Sequence, residues 1–244
     1  MAKAPWMTLL LAAAVLGSGC LESSQPGWAL EATQLDTVQE RADGARIRVA
    51  ILDTGVDLAH PALRHLANGD PDDGELVAYH DFLSSSDEPQ DPDGHGSFVA
   101  GVLAGRPASG MAAFVRPTHG ADGLAPRVEL VVGRLCDGVG HCALFSLGAA
   151  LQWAMDQGAD IVSLSLGFEA SKVAANPETA SQVRRLLREA AEDGVLVVAA
   201  AGNGGPEGVL FPADDPTVLA VAAIGEDLRP RSSTAWGAAG KPDL

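Results

Sequence analysis

Residues 49–57 read Val49-Ala-Ile-Leu-Asp53-Thr-Gly-Val-Asp57, an unbroken apolar run that ends in a carboxylate and a glycine. A short apolar run closed by turn residues is the pattern of a strand buried on both faces, and such strands belong to parallel sheets covered by helices. Counted from Ile47, the run predicts a strand over 47–52. Five more segments share its character, at 76–79, 128–135, 161–166, 195–200 and 218–224. Longer amphipathic stretches separate several of them. The clearest follows Asn176, which is placed to cap a helix; Pro177 suits the first turn, Val183, Leu186, Leu187, Ala190 and Ala191 share a face, and Gly194 closes it. A second helix is predicted from Leu144 to Met155, stopping at Gly158. Strands and helices in alternation imply an α/β fold with a mostly parallel central sheet.

The composition agrees with one such domain. The chain has 244 residues, an ordinary length for a single α/β domain. A hydrophobic fraction of 47% and 28 glycines without a three-residue period exclude a disordered or collagen-like chain. Asp and Glu number 32 against 16 Lys and Arg, a formal net charge of -16. A binder of nucleic-acid backbone needs clustered basic side chains, so no nucleic-acid partner is expected.

Residues 1–20 stand apart from the domain. Lys3, an apolar run over 6–16 and the small residues Gly17, Ser18 and Gly19 have the make-up of an export signal. The run is too short to cross about 30 Å of hydrocarbon as a helix. Cys20, directly after the small residues, resembles a bacterial lipoprotein cleavage site, although Gly17 stands where a Leu is usual. Lipidation of Cys20 and a plain secretory signal are both open readings. Either places the protein outside the cytoplasm, with membrane contact only through that lipid. Residues 21–44 read as a polar lead-in and residues 45–244 as the domain.

Cys136 and Cys142 flank a Gly-rich turn, and a disulfide between them is expected in an oxidising compartment. With His141 they fall short of the four ligands of a structural zinc site. The loops at 84–94 and 70–74 hold clustered carboxylates but lack the spaced Asp pattern of a calcium loop. They are read as solvated turns; no metal or other cofactor is required, and a structural calcium is the alternative, without support from the spacing.

Three segments put a polar residue at the end of a buried run or at the start of an apolar helix, where an open α/β sheet builds its sites. They are Asp53 in the stretch above, His95 in Asp93-Gly-His95-Gly-Ser-Phe-Val-Ala-Gly101, and Asn203 in Val197-Val-Ala-Ala-Ala-Gly202-Asn203-Gly-Gly205. A carboxylate that bonds one imidazole nitrogen leaves the other free to take a proton from a nucleophilic hydroxyl. An amide at a strand end can donate to the oxyanion that follows. Singly, each residue has a plainer reading: Asp53 opens a turn, His95 caps a helix, Asn203 supplies a left-handed residue. A dinucleotide site is set aside for want of a Gly-x-Gly-x-x-Gly between strand and helix. A metallohydrolase is set aside for want of further ligands.

Taken in order, Asp53-Thr-Gly, His95-Gly-Ser-x-Val-Ala-Gly101, Ser163-Leu-Ser-Leu-Gly167 and Ala200-Ala-Gly-Asn203 resemble the subtilisin-like serine proteases, the subtilases. The likeness runs from about Trp28 to Leu244 and includes His60-Pro-Ala-Leu63, His80-Asp-Phe82 and Gly158-Ala-Asp-Ile161. It implies a subtilisin-like three-layer sandwich and a monomer that hydrolyses polypeptide substrates through an Asp-His-Ser triad. Asp53 would be the orienting carboxylate, His95 the general base and acid, and Asn203 the oxyanion donor. Gly138 to Gly140 and the segment Ser165, Leu166 and Gly167 would be the two edges between which substrate backbone pairs as an added strand. Ala200, Ala201 and Gly202 would wall the pocket for the residue before the scissile bond, with Phe168 adding apolar lining.

The pattern is departed from in two places. Ser97 and Phe98 stand where the family usually has Thr and a second His. The family's nucleophile opens a buried helix in a Gly-Thr-Ser-Met-Ala segment several tens of residues after the oxyanion Asn, and these 244 residues stop short of it. Ser163, Ser165, Ser232 and Ser233 match other parts of the pattern. The resemblance therefore implies a catalytic domain whose C-terminal part is missing, inefficient as a protease by itself. A non-catalytic peptide-binding relative is the alternative, and the retained Asp53, His95 and Asn203 argue against it.

Overall fold

β1 (Arg48–Asp53), the strand that ends in Asp53, lies inside a sheet, with a neighbour on each side. The computed structural model describes residues 28–70, 72–106, 123–237 and 241–244; the signal-like segment and Cys20 lie outside them. Ahead of β1 come α1 (Trp28–Thr33) and α2 (Leu35–Gln39). After it follow β2 (Glu75–Asp81), α3 (His95–Ala104), β3 (Glu129–Arg134), α4 (Leu144–Asp156), β4 (Ile161–Leu164), α5 (Ala170–Ala174), α6 (Pro177–Glu192), β5 (Leu196–Ala200) and β6 (Leu219–Val221). Among the described residues the sheet has six strands in the order β2-β3-β1-β4-β5-β6, and every pairing is parallel. This is why the run before Asp53 is unbroken in apolar character. Val49, Ala50, Ile51 and Leu52 have no solvent-facing side, and none is more than 3% exposed.

Successive side chains of a strand point to opposite faces, and each face has its own helical cover. Ala50, Leu52, Val131, Val162, Leu164, Val197 and Ala199 pack with Leu147, Ala150 and Leu151 of α4 and Val183, Leu187 and Ala190 of α6. On the other face Val49, Ile51, Leu130 and Val132 pack with Val99, Ala100, Val102 and Leu103 of α3. Helix, sheet and helix make the three-layer α/β arrangement, with its strands' carboxyl ends along one edge.

Three details differ from the sequence reading. Ala191, read on the apolar face of α6, is exposed, because it lies off the stripe of Val183, Leu187 and Ala190. Asn176 holds the N-cap position of α6, but its side chain makes no cap bond: Nδ2 donates instead to the Lys172 carbonyl at 2.9 Å, at the end of α5 immediately before. The lead-in is also more than a polar approach, since residues 28–39 form α1 and α2. Leu35 is 2% exposed within the second core, and Gln39 Nε2 donates to the Gly123 carbonyl at 2.7 Å. Helices of five or six residues are too short to show periodicity in sequence.

Candidate active site

Asp53 is the last residue of β1, so the parallel sheet places its side chain at the carboxyl edge. At 2% exposure the carboxylate must find its hydrogen-bond partners within the protein. Oδ1 accepts from the Thr54 backbone N–H at 2.7 Å and from His95 Nδ1–H at 2.7 Å. With Nδ1 donating, neutral His95 keeps its lone pair on Nε2, on a side chain that is 40% exposed. The hydrogen bond to Asp53 holds the imidazole above its ordinary value of 6.5 against the opposing effect of burial; the charges of Asp53, Asp93 and Asp91 act in the same direction.

Glycines let the two groups meet. His95 is the first residue of α3, and the next, Gly96, lies so close to the Gly55 carbonyl that a Cβ would overlap its oxygen. Gly55 itself takes φ +121° against the Gln90 carbonyl, which a Cβ would also overlap. The strand end and the helix start are thus in backbone contact.

The loop before His95, read from sequence as solvated, is exposed over most of residues 84–94, and it is anchored by two inward carboxylates, Asp81 just before it and Asp91 near its end. At its start Asp81 is fully buried at the end of β2 and accepts from Ser84 Oγ at 2.6 Å, Arg134 Nη1 at 2.6 Å and Gln90 Nε2 at 3.1 Å. Near its end Asp91 Oδ1 accepts from Thr54 Oγ1 at 2.8 Å and the Gly94 N–H at 2.9 Å. Its Oδ2 accepts from the Ser97 N–H at 2.7 Å and Ser97 Oγ at 2.6 Å. Ser97 Oγ in turn accepts from the Asp57 N–H at 2.9 Å. What this network uses at position 97 is a hydroxyl, which Ser and Thr both carry. Sequence reasoning missed Asp91, whose only sign was its place four residues before His95 among other carboxylates.

Cys136 and Cys142 are joined by a disulfide, closing a hairpin whose turn contains Gly138 and Gly140. The N–H groups of Leu135 and Cys136 both donate to the Asp53 carbonyl, at 2.9 and 3.1 Å. Gly138 faces Pro92, and Gly140 lies beside Asp93, so the hairpin stands next to the Asp53–His95 pair. Ser165, Leu166 and Gly167 leave the end of β4, and Ala200, Ala201 and Gly202 the end of β5. Gly167 and Gly202 both press on the Leu210 side chain, leaving no room for a Cβ. The Ala201 backbone is occupied, its N–H on the Val221 carbonyl at 2.8 Å and its carbonyl taking the Leu210 N–H at 2.9 Å. Phe168, read as pocket lining, is instead a core residue: it is 2% exposed and exchanges backbone hydrogen bonds with Phe211 at 2.7 and 3.1 Å. Asn203 follows β5 on the same edge of the sheet and is exposed. Among the described residues no group of three or more His, Cys, Asp or Glu is placed to hold a metal ion.

Comparison with known proteins places this architecture. Thermitase of Thermoactinomyces vulgaris is 30% identical over 196 residues, covering 80% of this chain and 61% of that protein. The thermophilic serine proteinase of Bacillus sp. (strain AK1) is 31% identical over 189 residues, covering 78% of this chain and 41% of that protein. Subtilisin BL of Lederbergia lenta is 28% identical over 212 residues, or 86% of this chain and 68% of that one. The chain therefore spans between about two-fifths and two-thirds of the length of these relatives. Among solved structures, a mutant of the protease domain of PatA has the same fold, with a TM-score of 0.60 at 24% identity, covering 81% of this chain and 64% of that one. The family model described as "Subtilase family" matches residues 44–244, and the chain belongs to the subtilase family.

Proposed function

We propose that this chain carries the Asp–His relay of a subtilase serine endopeptidase acting on polypeptides. The observation that supports it most is the 2.7 Å bond between the buried Asp53 carboxylate and His95 Nδ1. In this reading Asp53 fixes the tautomer and stabilises the imidazolium, while Nε2 takes the proton of a serine hydroxyl and returns it to the leaving amine. The Asn203 amide donates to the oxyanion. Substrate backbone pairs with the hairpin at Gly138 and Gly140 on one side and with Ser165, Leu166 and Gly167 on the other. No serine among the 244 residues is assigned the nucleophile's role, so the 244-residue polypeptide by itself is proposed to be a poor catalyst. Only the residual of about 10³- to 10⁴-fold over water that oxyanion donors and binding leave behind is expected of it. An extracytoplasmic location is part of the proposal, supported by the disulfide and by the signal-like composition of residues 1–20.

The test compares residues 1–244 alone with the same residues fused to the nucleophile-bearing C-terminal segment of a known subtilase, on a peptide ester and on a folded protein substrate. Turnover by the longer protein alone is the expected result. Peptide binding without turnover in both would replace this reading with that of a non-catalytic binding relative.

A further inference from the structure

Asp91 has none of the roles assigned above, yet its carboxylate accepts four hydrogen bonds within the wall of the site. We propose that Asp91 is a positioning residue that clamps the end of β1 to the first turn of α3 and so sets the geometry between Asp53 and His95. The inference rests on reading those two residues as the relay of a serine peptidase, and it adds a group that the relay does not contain.

The bonds fall on both partners' backbones. Thr54 follows Asp53 directly, and Gly94 and Ser97 bracket His95, one residue before it and two after. Thr54 Oγ1 closes the ring by accepting the Gly96 N–H at 2.8 Å. The N-cap of α3 is Gly94, which has no side chain to offer. The helix's second and third N–H groups would lack the usual cap, and Thr54 and Asp91 supply it from outside the helix. A carboxylate suits this place twice over, through charge-assisted bonds and through the positive end of the helix dipole. Burial opposes its ionisation, but the bonds from Ser97, Gly94 and Thr54 outweigh that and keep the carboxyl below its usual range. An amide cannot substitute. Whichever oxygen it replaced, the NH₂ would face a backbone donor, from Gly94 on one side or from Ser97 on the other.

The experiment uses the form of the protein that turns over substrate in the comparison above, with Asp91→Asn, Ser97→Ala and Ser97→Thr. It reads kcat and KM on a peptide ester, the pH profile, and the downfield proton resonance of the His95 Nδ1–H. Asp91→Asn is expected to lower kcat on the order of 10- to 100-fold with KM little changed, as misplacement of a catalytic group does. The Nδ1–H resonance should weaken, and the profile's acid limb should move down, because of the acidic groups acting on His95 (Asp53, Asp93 and Asp91) one is neutralised. Ser97→Ala removes one of the four bonds and no charge, so it should lower kcat and weaken the resonance to a smaller extent and leave the acid limb in place, while Ser97→Thr should keep kcat. A folded Asp91→Asn protein with unchanged kcat and resonance, or with its loss confined to KM, overturns the proposal. Should Asp91→Asn fail to fold, Ser97→Ala decides by the same two readouts. If the wild-type protein hydrolyses no peptide, the peptidase reading falls, and the resonance alone decides the role of Asp91.

Discussion

At the scale of single residues, the consequential contact is one hydrogen bond. Asp53 is buried and His95 is part-exposed, so the pair has a fixed end and an open end, which is what a proton relay needs. Replacing Asp53 by Asn in the form that turns over peptide should cut kcat by about 10⁴, since an amide bonds the wrong tautomer; stopped assays on a peptide ester would measure it. The pH response follows from the raised His95 pKa. The base form is required, so kcat/KM should fall on acidification through a midpoint above 6.5, and a midpoint below that value would contradict the pairing. The stability linked to the same pair runs the other way. It is fully present below the unfolded-state value and is lost as pH rises through the higher folded-state value. Asp53 and His95 were legible in sequence because each sits in a glycine-bearing motif. Asp91 was not, because one inward carboxylate among several in a loop has no local signature.

Among the elements, the end of β1 and the start of α3 meet at a tight junction. Gly96 touches the Gly55 carbonyl with no space for a Cβ, so Gly96→Ala must push the helix start away from the strand end. We expect about 2 kcal/mol of lost stability in urea unfolding, at the upper end of ordinary substitutions, together with a weaker Asp53–His95 bond. Unchanged stability would mean that the junction yields more easily than its packing implies. The six strands and both long helices were visible as apolar runs and as a helical face, because burial on two faces or on one leaves a repeating trace in composition. The Asn176 side-chain contact and α1 and α2 left no such trace. The first depends on which carbonyl lies nearest, and the second on Leu35 and Val38 reaching the core.

For the whole molecule, charge sets the response to acid. Asp81 and Asp91 are both held below the usual carboxylate value of 3.8; burial opposes this in each, and hydrogen bonds outweigh it, from Ser84, Leu83 and Arg134 for Asp81 and from Ser97, Gly94 and Thr54 for Asp91. A lowered folded-state pKa contributes stability that is present above 3.8 and is lost as pH falls below it. Acid titration followed by circular dichroism should therefore show unfolding below that value, with Asp81→Asn and Asp91→Asn proteins already less stable near neutrality and flatter in their acid response. The sequence by itself determined the α/β class, the strands and the family, because these rest on local periodicity and on motifs read within a few residues. Only the tertiary structure decided that β1 lies between β3 and β4, that Asp81 and Asp91 turn inward to anchor an otherwise exposed acidic loop, and that Phe168 belongs to the core. Those outcomes depend on which distant groups meet at the carboxyl edge of the sheet, and hydrogen-bond partners dozens of residues apart leave no local pattern in a chain.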